Sequence, residues 1–197
     1  GGAYKVSGGL HAVGVSAVNA LSAFMEVTVR IDGKIHRIRF ERGKTVEPLK
    51  VIGETAETGT TTKFLPDPEI FEDVNFNFDT VSQRLRELAY LNRGLEITLH
   101  DERVDKTVTH KFDGGIEEFV RTLNRNKDVL HKDPITGSAS REGIDIDFAF
   151  QYNDSYAENV LSYANTIRTH EGGTHEAGFK AALTRVINDV GRKAGAL

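Results

Sequence analysis

Val27, Val29 and Ile31 alternate with Thr28 and Arg30, Asp32-Gly33 closes the run, and the stretch from Ile35 to Phe40 answers it; nothing else in these 197 residues constrains the fold as strongly. Period-2 patterning places the apolar side chains on one face of a strand, and an acidic-Gly pair supplies the two residues that a tight hairpin needs at positive φ. An antiparallel hairpin is therefore predicted, and whatever surrounds it must cover one face of a sheet. Further strands are predicted at Leu49 to Ile52 and at Thr60 to Leu65, where Pro66 and Pro68 stop the second.

Helical spacing appears elsewhere. Val13 to Leu21 reads as a helix of small and apolar residues. Asp79 is the expected cap of a helix carrying Val81, Leu85, Leu88 and Leu91, with Gly94 closing it. Leu95 to Leu99 and Val108 to Phe112 read as strands, and Gly114-Gly115 leads into a helix with Ile116, Phe119, Val120 and Leu123 on one face. Asn124 to Ser140 is polar, carries Pro134 and Gly137, and reads as a connection between domains. Beyond it Ile144, Ile146, Phe148 and Phe150 alternate, with Val160 to Ile167 as the expected partner strand. A last helix from about His175 carries Phe179, Ala182, Leu183, Val186, Ile187 and Val190 as an apolar stripe, with Thr174 as its cap. Two α+β domains, the second incomplete, are the simplest reading.

Composition narrows the class. Apolar residues make up 39% and charged residues 27%, so the chain is apolar enough to fold. It has no cysteine, which excludes a disulfide framework and thiolate metal sites and makes a reducing, cytoplasmic location the expectation. No apolar run approaches the roughly 18 to 20 residues of a membrane span, so no membrane association is expected. A net charge of −4, with acidic residues interleaved among Arg84, Arg86, Arg93 and Arg103, gives no basic face for nucleic acid within this chain.

Five glycines fall within the first fourteen residues, in GGAYKVSGGLHAVG. Consecutive glycines let backbone N–H groups converge into a concave nest, and a helix starting there adds unpaired donors. Such a segment suits phosphate, although a flexible loop before a tightly packed helix would have the same composition. Neither GxxxxGK[ST] nor a strand-borne GxGxxG is present. Three other groupings read as structural. In His170-Glu171-Gly172-Gly173-Thr174-His175 the histidines are five apart rather than four, and the glycines break the helical turn a zinc site of the HExxH kind requires. Asp145 and Asp147 read as the solvated face of a strand, and His36, His100, His110 and His131 as isolated surface residues.

The string GGAYKVSGGLHAVGVSAVNALS resembles the ATP lid and following helix of the ATPase subunits of bacterial type II topoisomerases, above all gyrase B, in the gyrase, Hsp90, histidine kinase and MutL class. TGTTTKFLPDPEIF, RLRELAYLNRGLEITLHDER, GGIEEFV and NTIRTHEGGTHEAGFKAALTRVIN continue the resemblance over nearly the whole chain. It implies a two-layer α/β sandwich of the gyrase/Hsp90-type ATPase over residues 1–114, running from the lid onward. A ribosomal S5 domain 2-like transducer is implied over 115–197, both domains incomplete. It further implies that Ser7, Gly8, Gly9, Leu10, His11, Ala12, Val13 and Gly14 wrap the phosphates of ATP and that Tyr4 and Lys5 lie near the nucleotide. Gly59 and Thr60 would help hold the adenine through water.

By the same resemblance the intact subunit is an ATP-hydrolysing topoisomerase that drives DNA supercoiling. It pairs with a gyrase A-type subunit, dimerises through its N-terminal region, meets DNA in the assembled complex and takes inhibitors at its ATP site. The ATP-binding subunit of topoisomerase IV and a non-catalytic nucleotide-sensing module are the alternatives. In such proteins the general base, the Mg²⁺-holding asparagine and the adenine-reading aspartate precede the lid, so all three are expected upstream of Gly1, and a transducer lysine follows the last residues of this sequence. None has a counterpart here, and the chain alone is expected to be inactive. Ala12 stands where a third lid glycine is usual. Ile31 stands where arginine is common, with Arg30 expected on the other face, away from a contact that coumarin-type inhibitors use.

Overall fold

The computed structural model describes residues 13–197, which divide into two compact units, 13–76 and 77–197. The first is built on the predicted hairpin. Helix α1 (Gly14–Ala20) leads into β1 (Ser22–Ile31), β2 (Lys34–Glu41), β3 (Lys44–Glu54) and β4 (Gly59–Pro66). The strands form one antiparallel sheet in the order β3-β2-β1-β4. Asp32 and Gly33 take φ of 52° and 76°, and Arg42 and Gly43 repeat the arrangement at 45° and 77°; paired left-handed residues match the strand twist at a two-residue turn. The sequence does not announce the second turn, because an Arg-Gly pair is a weaker turn signal than Asp-Gly. It extends β3 well beyond the predicted Leu49 to Ile52.

Register sorts the sheet into two faces. Met25, Val27 and Val29 lie opposite Phe40, Ile38 and His36 on β2 and opposite Phe64, Thr62 and Thr60 on β4. Met25 is 2% exposed and marks the packed end of that face. The reverse face carries Glu26, Thr28, Arg30, Arg37 and Arg39, where Arg39 meets Glu26 at 3.8 Å and lies over the Phe24 ring at 4.5 Å.

The second unit holds α2 (Phe78–Leu91), β5 (Ile97–Asp101), β6 (Lys106–His110), α3 (Gly115–Leu123), β7 (Ile135–Arg141), β8 (Ile144–Phe150), β9 (Tyr163–Ala164), β10 (Ile167–Arg168) and α4 (Thr174–Lys193). Its core centres on Tyr90, which is buried, stacks on Phe112 and Phe119 at 3.6 and 4.5 Å, and shares a 3.1 Å hydrogen bond between its hydroxyl and that of Thr122. A second aromatic group gathers Phe148, Phe150, Tyr152 and Phe179. The chain is thus α+β.

Several expectations need correction here. Asn77, not Asp79, caps α2, its side-chain oxygen accepting from the Thr80 N–H at 2.9 Å. Strands β5 and β6 sit about two residues away from the predicted spans. The polar stretch read as a connection contains β7, which pairs with β8 along its whole length, so Val160 to Ile167 is not the partner of that strand. Small residues made β7 look like a loop, and they are there for a reason. A Cβ on Gly137 would stand 2.5 Å from the Phe148 ring. Val160 to Ile167 instead supplies one arm of the short β9–β10 hairpin. Gly173, at φ 153°, occupies the cap position of α4, and Thr174 is already inside the helix. No helix among the described residues is long and apolar enough to cross a membrane.

Candidate functional site

The stretch from Gly1 to Ala12 lies outside the described residues, and with it the candidates Tyr4, Lys5, Ser7, Gly8, Gly9, Leu10, His11 and Ala12. The general base expected upstream of Gly1 likewise has no place among the described residues. Val13, Gly14, Gly59 and Thr60 lie within the 13–76 unit. Val13 ends the approach to α1 with φ −96° and ψ −4°; its carbonyl accepts the first helical hydrogen bond, from the Ala17 N–H at 2.9 Å, and its side chain is 60% exposed. Space around Gly14 is open. Gly59 starts β4 at φ 147°, a conformation that needs a residue without Cβ. It faces Arg30 across the ladder, and Thr60 faces Val29.

That register decides which groups the beginning of β4 can offer. Thr60 shares its face with Thr62, Val27 and Val29, is exposed, and among the described residues has no hydrogen-bond partner for its hydroxyl. An apolar strip edged by a free hydroxyl can receive a flat ring and still hydrogen-bond it directly or through water. Arg30 points to the reverse face, where its guanidinium donates to the Thr61 hydroxyl at 3.1 Å. Ile31 pairs with Lys34 beside the hairpin turn and is half exposed.

Elements α1 and β4, which carry these residues at their N-terminal ends, are joined at their C-terminal ends by a group that the sequence reading missed. Asp67, just past β4, is buried, and its backbone N–H donates to the Leu21 carbonyl at the end of α1 at 3.0 Å. Its carboxylate accepts from Arg42 Nε at 2.8 Å and from the Glu69 N–H at 3.0 Å, while Arg42 Nη2 reaches Glu69 Oε1 at 2.8 Å. The Arg42 N–H donates to the Ser22 carbonyl at 3.2 Å, and the Ser22 hydroxyl donates to the Val18 carbonyl at 2.6 Å. The hydrogen bond from Arg42, then that from the Glu69 N–H, holds the Asp67 carboxyl below its ordinary pKa; Asp67 in turn raises that of Arg42. An aspartate between two prolines directly after a predicted strand was the available signal. Beside this join lies a largely apolar cavity of about 450 Å³, with Val18, Leu21, Phe64, Pro66, Phe71 and Phe76 among its lining.

Outside this unit the remaining groupings resolve into structure. His175 Nε2 meets the Thr169 hydroxyl at 3.0 Å, and Glu176 accepts from Ser162 at 2.7 Å and pairs with Lys180 at 3.1 Å. Those hydrogen bonds and Lys180 lower the Glu176 pKa. Three of the histidines read as isolated are not: His100 Nδ1 lies 2.6 Å from the Thr107 hydroxyl. His110 is buried with Nε2 3.0 Å from the Ser82 hydroxyl, and His131 Nε2 accepts from the Tyr152 N–H at 2.8 Å. Asp145 and Asp147 are exposed, opposite Ser140 and Ser138. Among the described residues no three His, Asp or Glu side chains gather as a metal site.

Known proteins share this architecture and sequence. A solved structure of the 43K ATPase domain of Thermus thermophilus gyrase B in complex with an aminocoumarin superposes with a TM-score of 0.83 at 39% identity, covering 95% of this chain and 52% of that one. The B-subunit of the DNA gyrase from Myxococcus xanthus gives 0.78 at 27% identity, covering 93% and 53%. DNA gyrase B of Clostridium acetobutylicum is 54% identical over 198 residues, covering all of this chain and 31% of the relative, and that of Bacillus mycoides is 53% identical, covering 98% and 48%. The DNA gyrase B family model matches residues 115–197.

In sequence and in architecture the chain is similar to DNA gyrase B proteins along nearly its whole length. It spans about a third to a half of the length of the curated relatives it matches.

Proposed function

We propose that this chain is part of the ATPase region of a gyrase B-type topoisomerase. The glycine-rich segment before α1 closes on the phosphates of ATP, and Gly59 and Thr60 take the adenine end. Supporting this most is the likeness to a gyrase B ATPase domain along 95% of the chain. Thr60 adds a chemical reason, a free hydroxyl on an apolar sheet face. On this reading residues 1–114 bind nucleotide and residues 115–197 transmit its state. The whole subunit then works in the cytoplasm with a gyrase A-type partner, as a dimer, to pass one DNA segment through another and supercoil it. Mg²⁺ would be held by ligands beyond the described residues.

The test uses the full-length subunit with its A-type partner. ATP turnover should rise when DNA is added, and Thr60→Val should weaken ATP binding roughly two- to tenfold, the worth of one hydrogen bond to a ligand. Nucleotide binding without turnover would favour a sensor, and unchanged affinity in Thr60→Val would remove the adenine role.

A further inference from the structure

Gln83, Arg84 and Glu87 fall at the spacing that gathers side chains on one face of a helix, beside the apolar stripe of Val81, Leu85 and Leu88 on α2. Between that face and the β9–β10 hairpin lies a cavity of about 450 Å³, which Arg168 and His170 also line. Glu87 is the one carboxylate in its lining, and it is already satisfied. It accepts from Arg84 Nη1 at 3.3 Å and from the Tyr163 hydroxyl at 3.4 Å, while Arg84 Nη2 donates to the Thr166 carbonyl at 2.8 Å. Burial, and then the charge of Glu87, raises the Tyr163 pKa, so its hydroxyl remains a donor. Thr166 takes φ of 66° after Asn165 at 45°; a β-branched residue in the left-handed region is strained, and such strain persists where its surroundings fix it. Arg168 pairs across the hairpin with Tyr163, lies 5.8 Å from the centroid of its ring, and has no carboxylate partner among the described residues. His170 is exposed and has no hydrogen-bond partner among them.

We propose that this cavity binds a small phosphate-bearing anion, held by Arg168 and His170 from the hairpin and by the charge of Arg84 from α2. Two guanidiniums against one satisfied carboxylate leave positive charge uncompensated. The fork of a guanidinium matches phosphate oxygens, and donors on two walls suit a tetrahedral group better than a flat carboxylate. A concave site of this volume is of the size that takes small molecules. Duplex DNA would need a basic surface instead, which a chain of net charge −4, with acidic residues interleaved among its arginines, does not offer. The site lies wholly within the 77–197 unit and does not depend on the nucleotide reading given above.

Pyrophosphate is the probe, titrated calorimetrically into the full-length subunit with a nonhydrolysable ATP analogue already present to occupy the nucleotide site. The wild type should bind it, and Arg168→Ala should weaken binding about tenfold or more, the worth of a hydrogen bond to a charged group. Arg168→Lys, which keeps the charge and loses the fork, should recover part of the loss. His170→Ala removes no contact that the structure shows and should weaken binding about two- to tenfold, which keeps the test readable if Arg168→Ala disturbs the hairpin. No binding by the wild type, or equal binding by the wild type and both alanine variants, would overturn the site. Displacement of pyrophosphate by a short DNA duplex would overturn it as well, by giving these cations to a backbone phosphate.

Discussion

His110 shows what burial does to a single titratable group. It sits at the end of β6 in contact with Ser82, and burial, followed by the nearby positive charge of Arg86, lowers its pKa from the ordinary 6.5. The neutral ring is favoured in the folded state, so the unfolded chain takes up a proton first as the solution is acidified. The resulting stability is complete above pH 6.5 and falls as pH drops from there toward the lowered value. Urea unfolding followed between about pH 8 and 5 should therefore show a loss of stability on acidification that His110→Gln lacks. A wild-type and variant pair with parallel pH dependence would contradict it. Asp101 responds in the same sense lower on the scale: Arg103, at 2.7 Å, holds its pKa at about 2, below the ordinary 3.8, so its contribution is complete above that ordinary value and is lost only as pH falls from there toward 2. Neither state could be read from the sequence, where His110 looks like any strand histidine. Burial depends on Tyr90, Phe112 and α2, brought together only by the fold.

Element boundaries were legible where one residue type has one use and obscure where several neighbours compete. Asp32-Gly33 permits almost nothing except a hairpin turn, and the structure has it. Around α2, by contrast, Asn77 and Asp79 are both good capping residues two positions apart, and the sequence pointed to the wrong one. The backbone decides: Asn77 is extended, with φ −85° and ψ 120°, so its side chain can fold back onto the Thr80 N–H. Asp79 is already helical and faces Lys106 at 3.8 Å. Asn77→Ala should therefore cost about 1 kcal/mol, whereas Asp79→Ala, which removes only a first-turn charge, should cost less than about half of that. Chemical denaturation of the two variants separates the cases, and equal losses would return the cap to Asp79. Strand β7 failed for another reason. At Gly137 the Phe148 ring fills the space a side chain would take, so the signal of a strand lay in its partner β8 rather than in β7 itself.

At the scale of the molecule, the likeness to gyrase B and the α+β class were legible because many ordered blocks of residues had to agree, and one misjudged cap or strand could not disturb that. Compactness was harder to foresee. The described chain divides after Phe76, because α2 packs with β5, β6 and α3 around Tyr90. What the molecule can do alone follows from the groups it contains. Phosphoryl transfer is mostly positioning with charge stabilisation by metal and donors, and needs a base to orient the attacking water. The described residues include an adenine-facing hydroxyl at Thr60 on the proposed reading and the hydrogen-bonded join at Asp67, but no cluster of His, Asp or Glu that gathers as a metal site. On the proposed reading, in which the general base and the Mg²⁺ ligands lie beyond these residues, the 197-residue chain by itself should show no ATP turnover above a protein-free blank, while the full-length subunit should turn ATP over under the same conditions. Coupled-enzyme assays on the two proteins, with Thr60→Val as a control for adventitious ATPase, make the comparison. Turnover by the short chain whose apparent ATP affinity Thr60→Val weakens would mean that the catalytic groups lie within these residues after all.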